Sequence, residues 1–207
     1  MIKALQLIFA PNAAWAKIAA AQRGALFVFL LNPLPLMLLG SFLEGYGLLK
    51  FGMVRGSFAG AEATQVELGL VERYEAVRLA TDLLVLFLGA KFLQALAEGF
   101  SMRVPFAPMF AVVAYSMGPS YLARALDGIP FLSTWLCWVI GMAFTLQVLY
   151  HGVALVLRPD QSKGFGLFIA FAVALLLMTA MAHTIAVAVL KERLLTWLKL
   201  PLLFRGE

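Results

Sequence analysis

Apolar residues fill five long stretches of the chain, near 25–43, 79–99, 104–124, 129–157 and 165–190, each bounded by charged or turn-forming residues. Each is long enough to cross most or all of a hydrocarbon core of about 30 Å as a helix. A backbone in lipid must satisfy its own polar groups, so such runs predict helices. Two contain internal prolines: Asn32 with Pro33 and Pro35 in the first, Gly118 with Pro119 in the third. Proline removes one helix donor and clashes with the preceding turn, which predicts a kink in each. The third stretch, VPFAPMFAVVAYSMGPSYLAR, needs neighbours that take up its freed carbonyls, so Tyr115, Ser116, Ser120 and Tyr121 are expected to face protein. Asn32 could bond across helices, but the simpler expectation is that it satisfies carbonyls released by its own prolines.

The polar segments add detail. Residues 1–24 place Leu5, Ile8, Trp15 and Ile18 among polar residues, with Pro11 dividing them into two short helices, and read as an interfacial amphipathic segment. A cleaved secretory leader is the weaker reading, because Pro11 and Lys17 interrupt what should be a continuous apolar core. Residues 44–78 form the long polar connection, in which Val66, Leu70, Tyr74 and Val77 recur at helical spacing; the acids at 62, 67, 72 and 75 then fall on a solvated outer face. The run 129–157 would measure about 43 Å as one helix and must tilt, bend or protrude. Trp135, Trp138, Tyr150 and His151 lie near its ends, where an aromatic belt belongs. Residues 191–207 read as an amphipathic C-terminal tail, too short and too charged for a further span. The predicted fold class is an all-α polytopic membrane protein: a bundle of five transmembrane helices over 25–190 with short interfacial amphipathic helices.

Composition agrees with that pattern. Hydrophobic residues make up 63% of the chain and charged residues 13%, with a mean hydropathy of +0.92, more apolar surface than a soluble core of this size could hide. The formal charge of +5 comes from 16 Lys and Arg against 11 acids. Most of them flank apolar runs, where they meet lipid headgroups, and nucleic acid is a poor explanation for that spacing. Lys3, Lys17 and Arg23 before the first span and Glu44 after it favour a cytoplasmic N-terminus. The single cysteine, Cys137, excludes an intrachain disulfide framework and a cysteine-based metal site.

Candidate chemistry is sparse. In the second span Lys91, Gln94 and Glu98 share one helical face at steps of three and four, while Asp82 falls nearly opposite Lys91. Charges in a span mark a polar groove or partner-binding face, although Lys91 reaching for the nearer interface is the simpler explanation. Tyr115 and Pro119 join this candidate set from the broken third span. His151 joins it as a titratable group beside an interface, where a lone histidine is more often structural. No nucleophile with a base, phosphate loop, paired catalytic carboxylates or histidine cluster stands at useful spacing. No catalysis, cofactor or metal is therefore expected.

Several weak motifs occur in a recognisable order. Phe9-x-Pro11-x-x-x-Trp15-x-x-Ile18 precedes the first span; Ala114-Tyr115-x-x-x-Pro119-x-x-Leu122 lies in the third; Ile129-Pro130 and the Trp135–Trp138 segment open the fourth; Tyr150-x-Gly152 and Ser162-Lys163-Gly164 precede the last. With the five-span layout, this order resembles the Rab/Ypt-interacting (Yip) family of integral membrane proteins in its short bacterial form. The resemblance covers most of residues 5–190 and implies a five-helix domain with a cytosolic N-terminus and an outward C-terminus, in a bacterial inner membrane. Eukaryotic relatives are implicated in membrane traffic and small-GTPase binding through a longer N-terminal region that this chain lacks, so GTPase binding does not carry over. The function expected is a non-enzymatic scaffold that organises membrane or binds a partner, in contact with lipids and assembled as a homo-oligomer or with another protein. The alternative is a transporter or channel for a small solute, ion or lipid, using a polar groove between broken helices.

Overall fold

The computed structural model describes residues 2–52, 66–129 and 132–190, and among them every regular element is helical. α1 (Ile2–Phe9) and α2 (Pro11–Ala21) meet at Pro11, which opens α2 at a position whose N–H has no helical partner in any case. α3 (Ala25–Leu31) and α4 (Pro33–Phe51) form one path interrupted at Asn32, again with a proline opening the second piece. After α5 (Leu68–Gly99), α6 (Phe106–Ser116) and α7 (Gly118–Arg124) repeat the device, broken at Met117. A 3₁₀ turn (Ala125–Gly128), α8 (Thr134–Gly152), a π-helical turn (Val153–Leu157) and α9 (Gln161–Leu190) follow. Both kinks expected from internal prolines are thus breaks between helices.

Four helical paths among the described residues are long and apolar enough to cross a membrane: Ala25–Phe51, Leu68–Gly99, Thr134–Leu157 and Lys163–Leu190. Large apolar side chains stand exposed along them, among them Leu26, Leu30, Leu38 and Phe42 on α3–α4, Leu84 and Leu88 on α5, Val139 on α8, and Val173 and Leu177 on α9. Such faces, on helices of this length, fit a lipid surrounding rather than water. The broken pair α6–α7 lies among them. Residues 109–119 are all buried, with α3, α5 and α8 against α6 and with α1, α4 and α8 against α7. Tyr115, Ser116 and Tyr121 face protein, as their place beside Pro119 requires, and Ser120 is half-buried.

Three expected boundaries move. α4 does not stop before Glu44 but runs on to Phe51. The amphipathic helix expected within 44–78 and the second span are one helix of 32 residues, about 48 Å long, because no proline interrupts it. The fourth run starts as a helix only at Thr134. Ile129 precedes a proline and is held extended at ψ 122°, which leaves about 36 Å of helix from Thr134 to Leu157. The expected C-terminal tail at 191–207 and the acid at 62 lie outside the described residues.

The N-terminal helices are fastened to the bundle. Ala4, Leu7 and Trp15 are fully buried, while Leu5 and Phe9 on the other side of α1 are exposed. Trp15 donates its Nε1–H to the carbonyl of Val148 at 2.9 Å and meets Tyr115 edge to face at 6.1 Å between ring centroids. Gly152 makes room for it, since a Cβ there would lie 2.6 Å from the indole. At the other end a second close approach joins α4 to the 3₁₀ turn, where a Cβ on Gly47 would fall 2.5 Å from the Cα of Gly128. Asn32 crosses to another helix, donating to the carbonyl of Ala114 at 3.0 Å rather than to a carbonyl of its own path.

Candidate functional site

Arg124, the last residue of α7, is buried with 3% of its side chain exposed. Its guanidinium offers N–H groups in a rigid planar fork, and three of its nitrogens go to three different carboxylates. Nε donates to Glu44 on α4 at 2.6 Å, Nη1 to Asp82 on α5 at 2.9 Å, and Nη2 to Glu75, also on α5. Glu44 is wholly buried and accepts a further hydrogen bond from the Tyr74 hydroxyl. Arg78 donates to that same hydroxyl at 2.8 Å and stands 3.7 Å from Glu44. One continuous network therefore ties α4, α5 and α7 together.

The sequence places these groups by simple periodicity. On α5, Tyr74 and Arg78 are four residues apart, Glu75 and Arg78 three, and Arg78 and Asp82 four, so all lie on neighbouring stripes of one helix. The face they occupy turns towards α4 and the end of α7, which lets side chains from three elements reach one point. Asp127, in the 3₁₀ turn directly after Arg124, is also buried, and its charge acts on Arg78. The network is enclosed along the bundle. On one side lies the main apolar core, including Leu86, Leu93 and Phe110. On the other lies a smaller apolar cluster of Leu48, Val66, Val71, Tyr74 and Ala186, one turn further along α4 and α5. Isolated charges are very costly in such surroundings, and direct ion pairing makes their burial tolerable.

Of the candidate site residues named from the sequence, one belongs to this network. Asp82 is there, paired with Arg124, while Lys91 falls on the opposite side of α5, as its spacing requires. Lys91 is exposed and its Nζ rests 4.8 Å from the centre of the Phe106 ring, as a cation reaching along an apolar surface does. Gln94 is half-buried and donates to the carbonyl of Val104 at 3.4 Å, and Glu98 is exposed. These three do not meet the ion pairs. Pro119 is buried at the start of α7. His151 keeps to its own helix, with Nδ1 2.9 Å from the carbonyl of Gln147. Tyr115 lies towards the opposite end of the bundle, in the wall of a separate cavity.

Glu44, Glu75, Arg78 and Arg124 were not anticipated. The acids of the polar connection were expected on a solvated face, but Glu75 lies within the bundle because the helix carrying it continues into a span. Glu44 was read as the flank that ends a span, although the helix runs past it. The signal was present in combination: Glu75-x-x-Arg78-x-x-x-Asp82 runs into an apolar stretch, while Glu44 and Arg124 each sit at the same end of two other apolar runs.

The fold and its ion-paired interior define an all-helical, multi-pass membrane protein in contact with lipid. The chain belongs to the Yip1 domain family, whose model matches residues 5–183, from α1 to the last third of α9. No curated protein and no solved structure matches it.

Proposed function

We propose that this protein is a non-enzymatic membrane scaffold that organises the bilayer or holds a partner, and that it acts as an assembly of copies or with another protein. The observation that carries this reading is the ion-pair network around Arg124, which bonds buried charged side chains of three helices to one another. A scaffold needs a fixed shape, and such a network supports one. A transport pathway needs polar groups that can exchange partners with a solute. Family membership supports the same class. In this reading α6–α7 is a fifth crossing, about 28 Å long, through the middle of the other four. The N-terminus faces the cytoplasm of a bacterial cell and the chain ends outside its inner membrane.

Chemical crosslinking in native membranes tests it: a reproducible homo-oligomeric or hetero-oligomeric band is expected, and recovery of monomer alone across reagents of different length counts against the scaffold. Solute flux in proteoliposomes that disappears on mutating Arg124 or Asp82 would replace it with transport.

A further inference from the structure

At the end of the bundle away from the Arg124 network lies a cavity of about 540 Å³ that opens outwards and is walled by α1, α2, the start of α3, the start of α6 and the turn after α8. Among the described residues three cations line it, Lys3, Arg23 and Arg158, and no acidic residue does. They come from three separate places in the chain, so their meeting is a product of the fold and not of a local basic run. The nearest acid in sequence to Arg158, Asp160, is engaged elsewhere, 3.5 Å from Lys163.

Two of the three cations converge on one aromatic residue. The Nζ of Lys3 stands 5.9 Å from the centre of the Tyr115 ring, and the Arg23 guanidinium faces the Tyr115 hydroxyl. Burial, and then the positive charge of Arg23, lower the Lys3 ammonium below its usual range. The backbone is also constrained there. Gln22 and Arg158, both in the cavity wall, end α2 and the π-helical turn in left-handed conformations at φ 41° and 47°, which turns the chain sharply at each and brings these two helix ends to the cavity. Beneath the cations the wall is apolar, with Ile18 and Leu155 among its residues. Arg23 stands two residues before the start of the first apolar helical path and Arg158 directly follows the third, so the cavity stands at headgroup level.

We infer that this cavity binds a negatively charged phosphate group, seated between Lys3, Arg23 and Arg158 with Tyr115 behind it. Guanidinium groups bind phosphate through paired N–H donors, and an apolar wall under the charges suits the glycerol and first methylenes of an anionic phospholipid. Free phosphate shares the same headgroup chemistry, and the two sources are separable.

The full-length protein in detergent micelles, offered phosphatidylglycerol and phosphatidylcholine in equal amounts and examined by native mass spectrometry, is expected to retain phosphatidylglycerol preferentially. Arg23→Ala with Arg158→Ala should lower that retention about 5-fold for each cation removed, the contribution of one basic side chain to an anionic headgroup. Arg23→Lys with Arg158→Lys should keep most of it, and this charge-conserving pair serves if the alanine variant does not fold. Inorganic phosphate that displaces the lipid at millimolar concentration assigns the site to phosphate from either source; displacement by added phosphatidylglycerol alone assigns it to the lipid. Equal retention of the two lipids by the native protein, or retention of phosphatidylglycerol unchanged in a folded alanine variant, overturns the inference.

Discussion

Replacing Arg124 by Met is the most demanding test of the ion-pair network. Met approximates the volume of the arginine stem and keeps its apolar contacts, so the change removes charge and donors while leaving packing nearly intact. Glu44, Glu75 and Asp82 each lose a partner in a place where little water can replace it; Glu44 is 1% exposed at its side chain and Glu75 and Asp82 are 14% and 15% exposed. Breaking one buried ion pair from one side costs about 3–5 kcal/mol. Losses on a shared partner do not add, so the expected cost is that of about one such pair and not of three. An ordinary interhelical hydrogen bond in a membrane contributes about 0.6 kcal/mol, so the two explanations differ several-fold. Reversible unfolding in mixed micelles with increasing dodecyl sulfate would measure the difference. The companion variant combines Arg124→Met with Glu75→Gln and Asp82→Asn and keeps Glu44, which still faces Arg78 at 3.7 Å; with each remaining charge still facing an opposite one, it should recover a good part of the loss. A cost below about 1 kcal/mol for the single change, or a neutralised variant less stable than the single one, refutes the reasoning.

Three further outcomes follow from the packing. Trp15→Phe keeps an aromatic ring against Tyr115 but leaves the Val148 carbonyl without its donor, and should cost about 1 kcal/mol in the same unfolding experiment. Gly152→Val drives a side chain into the Trp15 indole and should detach α2, seen as faster proteolysis within residues 10–24 in intact detergent complexes. Lys91→Ala combined with Glu98→Ala should change stability by no more than about 0.5 kcal/mol for each substitution, because both side chains are exposed and neither joins the network.

The parts of this fold that depend on the chain alone were legible in the sequence. Proline has a fixed backbone angle and no N–H wherever it stands, so the breaks at Pro11, at Asn32–Pro33 and at Gly118–Pro119 follow from composition at those points. Apolar run length predicted most of the long helices for the same reason. The network was less visible because burial of a charge depends on whether a partner reaches it from another helix, and run length has no term for that. Run length alone therefore ends a span at the first acid, Glu44, and places Glu75 on a solvated face. Asp82 is legible as a charge within a span, but nothing in the run that holds it points to its partner, Arg124, which stands on α7.

A buried ion pair is weak evidence of added stability, and apolar residues of similar size often serve a core as well or better. The placement of Arg124 needs another account, and the membrane setting supplies one. Lipid tails are as apolar as leucine, so a helix packed through uniform apolar faces loses little when it slides or rotates against its neighbours. A shift of α5 by one residue relative to α7 moves Glu75 and Asp82 by about 1.5 Å along the axis and 100° around it, which separates both from the guanidinium at once. The same shift of α4 removes Glu44. Because the three carboxylates come from two helices and converge on a residue of a third, only one register of α4, α5 and α7 satisfies them all. The close approach of Gly47 to Gly128 is tolerant only of that same register, since any other would bring a side chain to the contact. Charge and close packing thus select one arrangement at this end of the bundle, and the break at Met117 lets α7 meet it without constraining α6, whose other end lines the cationic cavity about 30 Å of helix away.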